Sequence, residues 1–193
     1  LPISSRPMAR TPRSTNSSYP DRVLRCLLAF AFALTACDRT PSHGHHESQS
    51  HLTTTALGDP LAEVAWLHGA AGPWAVAGYR MGKFALKRLD LPRQSFDLEV
   101  THRGPLEPQY ACVADGASAA TGASLGKVNL RLEEAPVDGV VTIYTRKSTG
   151  QSVKLRPTEA FKKRFLGVPR TELVRAGAQV LALRDDEIFE EVR

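Results

Sequence analysis

The sequence predicts an α+β domain, an antiparallel sheet with packed helices, preceded by a flexible tether. Three observations predict it: an apolar stripe of helical period after Pro73, period-two alternation recurring from Ser95 onward, and an almost purely polar stretch from Asp38 to Pro60. The chain has 193 residues, and the 157 left after the first 36 are enough to bury a core.

The chain is expected to open with an export signal. Arg22 and Arg25 precede the apolar run Leu27–Leu34, which has the length of a signal-peptide core and is far too short to span a membrane. Leu34-Thr35-Ala36-Cys37 resembles the bacterial lipobox, whose cysteine accepts diacylglycerol and palmitate-type acyl chains. Residues 1–36 are therefore expected to be a lipoprotein signal peptide. The mature chain is expected to be exported and anchored through Cys37 to the inner or outer membrane, facing the periplasm. Asp38 resembles the inner-membrane retention signal of some enteric bacteria. The long polar stretch before Arg22 points to translation starting downstream of Leu1.

Residues 37–60 carry the lipid anchor and a His/Ser/Thr-rich tether with too little apolar surface to offset its ordering entropy. His43, His45, His46 and His51 in it could chelate a metal, but no fixed geometry is encoded, so the tether reads first as a solvated linker.

The domain is expected over residues 61–193. Gly72-Pro73 opens its first clear helix, with Trp74, Ala77, Gly78, Met81, Ala85 and Leu89 on one face and Arg80, Lys83 and Lys87 on another, ending before Pro92. Ser95 to Thr101 alternates with Phe96, Leu98 and Val100 to one side, as a half-buried strand does. Cys112 to Thr121 is rich in Ala, Gly and Ser and reads as a closely packed helix stopped at Gly122. Val128 to Leu132, Val140 to Thr145 and Gln151 to Leu155 alternate again, with a turn at Asp138-Gly139, and read as an antiparallel meander. Pro157-Thr158-Glu159 opens a helix carrying Phe161 and Phe165, and a shorter one starts at Thr171 before a break at Gly177.

Charge excludes one class of partner. The formal net charge of +5 and pI of about 9.3 suggest nucleic acid, yet Arg6, Arg10, Arg13, Arg22 and Arg25 against Asp21 put +4 of it in the signal peptide. No nucleic-acid partner is expected from a mature part so near neutrality. Of Cys26, Cys37 and Cys112, the first is expected to be cleaved away and the second lipidated, leaving Cys112 as a single thiol that is inert, a metal ligand, reactive, or bridged to another chain.

Two segments carry a family resemblance: HGAAGPWAVAGYRMGKFAL from His68 to Leu86, and CVADGASAATGASLGKVNLRL from Cys112 to Leu132. A His-Gly turn leading into a GPxxxxGYRMG helix, followed by Cys-x-x-Asp-Gly, Thr-Gly and Ser-Leu-Gly-Lys-x-Asn, resembles the formylmethanofuran dehydrogenase FmdE family over about residues 62 to 192. In that family the first motif commonly reads His-Gly-His-x-Cys-Pro-Gly, and its His and Cys, with the cysteine of the second motif, form a candidate metal and functional site. His68 and Cys112 match; Ala70 stands at the second histidine, Gly72 at the cysteine, and no Cys-x-x-Cys pair marks a zinc ribbon.

The resemblance implies a ligand site drawn from His68, Arg80, Cys112, Asp115, Thr121, Ser124, Lys127 and Asn129, with His68 and Cys112 as metal ligands and zinc or another divalent metal as the cofactor. Asp115, one turn after Cys112, is a third ligand or a partner that orients His68. A buried, packed His and Cys with no site at all is the plainer alternative. Gly122 to Lys127 has three residues between its glycines where a phosphate loop needs four, so a tight turn is favoured over an anion cradle. Two functions remain open. One is a membrane-tethered domain binding a small anionic ligand, a pterin-like cofactor or a metal; the other is a thiol-dependent redox enzyme, or an accessory protein of one, using Cys112. The partners expected are the membrane through the Cys37 lipid and a homodimer mate or an oxidoreductase.

Overall fold

The computed structural model describes residues 58–193, in which six helices and a five-stranded mixed sheet form an α+β fold. The expected signal peptide and most of the expected tether, with Cys37 and the histidines His43, His45, His46 and His51, lie outside the described residues. Among those described, no helix is long and apolar enough to cross a membrane.

Helix α1 (Pro60–His68) has Asp59 as its cap, whose side chain accepts from the Leu61 N–H at 3.0 Å, and it ends where Gly69 takes φ 89°. It lies before the first helix expected from the sequence, because only Val64 in it is buried and its apolar period is weak. Helix α2 (Pro73–Leu89) buries twelve residues, enough to make it the central helix.

Strand β1 (Leu98–Gly104) turns Leu98, Val100, His102 and Gly104 inward. Phe96, expected on that buried face, precedes the strand and is exposed. Helix α3 (Pro108–Thr121) crosses α2 at backbone contact. A Cβ on Gly116 would run into the Ala75 carbonyl, and one on Gly78 into the Val113 carbonyl, so only glycine permits the crossing. Gly122, at φ 73°, ends α3 as expected.

Strands β2 (Leu130–Glu134), β3 (Val141–Arg146), β4 (Ser152–Pro157) and β5 (Phe189–Val192) complete a sheet of order β2-β1-β3-β4-β5. Every pairing is antiparallel except β1 with β2, which is parallel. The meander expected from Val128 onward is therefore corrected. Helix α3 carries the chain back across the sheet, so β2 lands beside β1 in a crossover unit rather than beside β3. Val128 precedes β2 in a turn at φ 55°, exposed.

Helix α4 (Glu159–Phe165) is capped by Thr158, whose hydroxyl accepts from the Phe161 N–H at 3.1 Å. Helix α5 (Leu173–Ala182) follows a 3-10 turn at Arg170–Glu172 and runs through Gly177 without the expected break. Gly177 serves close approach instead, since a Cβ there would overlap the Ala71 carbonyl. The last helix is α6 (Asp185–Ile188).

One sheet face meets the helices through Leu98, Val100, Tyr144, Val153 and Leu155, packed with Met81, Ala85 and Leu89 of α2. The other face is mostly polar, with Val141 and Ile143 half-buried on it, and carries the cross-strand pairs Arg103–Glu133 at 2.7 Å and Arg156–Glu190 at 2.6 Å.

Candidate functional site

The turn between α1 and α2 and the start of α3 meet at one cleft. Gly69 stops α1 with the His68 imidazole at its end, and Gly72-Pro73 begins α2 three residues later with no side-chain cap. The cleft has a volume of about 650 Å³ and is lined by His68, Trp74, Cys112, Phe165, Arg170 and Leu173, among others. His68 and Cys112, distant in sequence, thus face the same space. His68 closes α1 and Cys112 is in the second turn of α3.

His68 Nδ1 donates to Asp115 Oδ2 at 2.7 Å. That bond fixes the ring and leaves Nε2 as the nitrogen available to a ligand. Asp115 thus takes the second of the two roles expected for it, orienting His68, and does not itself line the cleft. Among the described residues no three His, Cys, Asp or Glu side chains are gathered around one point. Ala70 and Gly72 line the same cleft but bring no donor to it. Two donors rarely hold zinc, so the residues present do not make up the metal site that the resemblance implies.

The Cys112 thiol is buried and donates to the Gln109 carbonyl at 3.2 Å. Burial, and then the Asp115 charge, push its pKa up to about 12, against a smaller opposing pull from the backbone N–H groups of Cys112 and Ala75. It is therefore a protonated wall of the cleft at neutral pH. Trp74 forms a second wall. Its Nε1 donates to the Phe165 carbonyl at 3.0 Å, and its ring stands edge-on to Tyr110 and Phe161, each with centroids 5.2 Å away. Arg170, exposed in the 3-10 turn, supplies a cation to the lining.

The remaining residues expected at the site lie elsewhere. Arg80 reaches across to α5, donating to the carbonyls of Leu181 at 2.8 Å and Leu183 at 2.9 Å and pairing with Asp185 at 2.6 Å, so it clamps the end of that helix. Thr121 lies about 13 Å further along α3 than Cys112, at 1.5 Å per residue, and donates to Ala117 at 2.7 Å. The loop beyond it satisfies itself. Asn129 Oδ1 accepts from the Ser124 N–H at 3.0 Å, Ser124 Oγ accepts from the Lys127 N–H at 3.2 Å, and Lys127 Nζ donates to the Gly122 carbonyl at 2.8 Å. This is the tight turn favoured above. Its groups do not converge with His68 and Cys112.

Sequence reasoning did not reach Arg170, since its approach to the cleft depends on the turn between α4 and α5. It also passed over His102, fully buried between Thr142 Oγ1 at 2.9 Å and the Tyr110 carbonyl at 3.2 Å. The signal for His102 was present, because inward alternation from Leu98 and Val100 continues through it.

The family model described as FmdE, molybdenum formylmethanofuran dehydrogenase operon, matches residues 67–190. No curated protein matches the chain. The matched region covers both motifs and every wall of the cleft, and the chain belongs to the FmdE family.

Proposed function

We propose that this FmdE-family chain is a membrane-tethered domain that binds a small anionic ligand outside the cytoplasm, in the cleft between the His68 turn and α3. The observation that carries the reading is the cleft itself. Its volume of about 650 Å³ is that of a small-molecule site, with rigid apolar walls at Trp74, Phe165 and Leu173 and a few polar groups, His68 and Arg170 among them. Arg170 and the uncapped start of α2 both favour negative charge in the ligand. Tethering rests on the lipobox at Cys37.

A thiol-dependent redox role for Cys112 is the weaker reading. A nucleophilic cysteine needs thiolate, and burial beside Asp115 opposes it.

Native mass spectrometry of the mature chain, extracted from its host membrane, tests both parts. Acyl mass on Cys37 is expected, together with a small molecule that the cleft-filling variant Leu173→Trp no longer retains. A mature chain without acyl mass overturns the tethering. Equal bound mass in wild type and Leu173→Trp overturns the cleft as the binding site.

A further inference from the structure

We infer that the C-terminal half of α2 forms the face with which the domain lies against an anionic phospholipid surface, an inference that rests on the tethering proposed above. A second, open groove of about 860 Å³ runs along this half-helix, with Lys83, Lys87, Arg88, Phe84 and Leu91 in its lining. Lys83 and Lys87 are one turn apart, both exposed, and neither has an ion-pair partner among the described residues. Arg88 meets Glu191 only at 3.4 Å. The groove's acidic residue, Asp185, is already held by Arg80 at 2.6 Å. The groove is thus positive, with half-buried apolar surface at Phe84 and Leu91 between the cations.

Its position supports a lipid partner. Glu63, in the first turn of α1, accepts from the Gly58 N–H at 3.3 Å and pairs with Arg93 of the groove at 2.9 Å. Gly58, the first described residue, therefore stands at the groove's own rim. Cys37 precedes Gly58 by 21 residues. Even fully extended, such a segment holds the domain within about 70 Å of an acyl anchor, so weak attractions act at high effective concentration. The small-molecule cleft lies at the opposite end of α2, about 16 Å along the axis from Gly72 to Lys83, and would open away from the bilayer. Exposed, mobile ammonium groups on one helix face suit a fluid array of headgroup phosphates; a discrete polyanion needs convergent, fixed donors.

The test uses the mature, lipidated chain on vesicles of phosphatidylcholine alone, or of phosphatidylcholine with about one-third phosphatidylglycerol. Acetylation rates of Lys83 and Lys87 are read by mass spectrometry, with Lys154, exposed on β4, as the reference. Acetylation at Lys83 and Lys87 should slow at least about fivefold on the anionic vesicles, with Lys154 unchanged, and recover in about 0.5 M salt as the headgroup field is screened. Equal rates on the two vesicles overturn the inference. So does equal protection by inorganic tripolyphosphate in solution, which would make the groove a site for free polyanions. Flotation with phosphatidylcholine alone reads the anchor separately. A chain that does not float with it, yet is protected on anionic vesicles, loses the tether and keeps the groove.

Discussion

His68 Nδ1 lies 2.7 Å from Asp115 Oδ2, so the last residue of α1 is bonded to the middle of α3 beside the cleft that His68 lines. The carboxylate accepts, which selects the neutral tautomer with the proton on Nδ1. Asp115→Ala should move the neutral ring toward the Nε2–H tautomer, visible in its ¹⁵N shifts. Because the two side chains are 28% and 45% exposed, the stability lost should stay below about 1 kcal/mol. An unchanged tautomer would mean that another group orients the ring.

The α2–α3 crossing should be the least tolerant part of the core. Gly116→Ala puts a methyl group into the Ala75 carbonyl, and neither helix can move away without disrupting the other's packing. A cost above about 3 kcal/mol, or failure to fold, is expected in thermal melts. Gly126→Ala meets nothing within 4 Å and should change stability by less than about 0.5 kcal/mol.

How far the sequence discloses this molecule depends on the distance over which each feature is determined. The α2 stripe, the Gly122 stop and the Thr158 cap are local patterns, and each occurs where the residues place it. The parallel partner of β1 is not local, since alternation reports which face of a strand is buried and not which strand lies beside it. Gly177 carries the signature of a helix stop, yet its reason lies across space at Ala71. At the site, the motifs brought His68 and Cys112 to one cleft. The second motif, however, extends along α3, so its far half from Thr121 to Asn129 stabilises a turn at the other end.

Tyr144 is fully buried, and among the described residues its hydroxyl has no well-aligned hydrogen-bond partner, the neighbouring Thr142 hydroxyl being engaged by His102 at 2.9 Å. Removing an unpaired hydroxyl relieves a desolvation cost while keeping the ring, so Tyr144→Phe should stabilise the domain by about 1 kcal/mol. The urea midpoint should rise at an unchanged slope. A fall in the midpoint would show that the hydroxyl is in fact satisfied.

Burial lowers the His102 pKa from 6.5 to about 4, only partly opposed by its bond to the Tyr110 carbonyl. Because the folded pKa lies below the unfolded one, the unfolded chain takes up the proton first as pH falls. The stability associated with a neutral His102 is therefore fully present above pH 6.5 and is lost progressively between 6.5 and about 4. Integrating over that interval gives a loss of about 2 kcal/mol by pH 5 and about 3 kcal/mol in all. His102→Gln keeps a polar side chain beside Thr142 and removes the titration. The difference in unfolding free energy between wild type and this variant should therefore shift by about 2 kcal/mol between pH 7 and pH 5, against wild type. Common carboxylate titrations cancel in that difference. If it stays constant with pH, His102 is protonated in the folded domain as readily as in the unfolded chain. The pair it makes with Thr142 would then have to accommodate a charge.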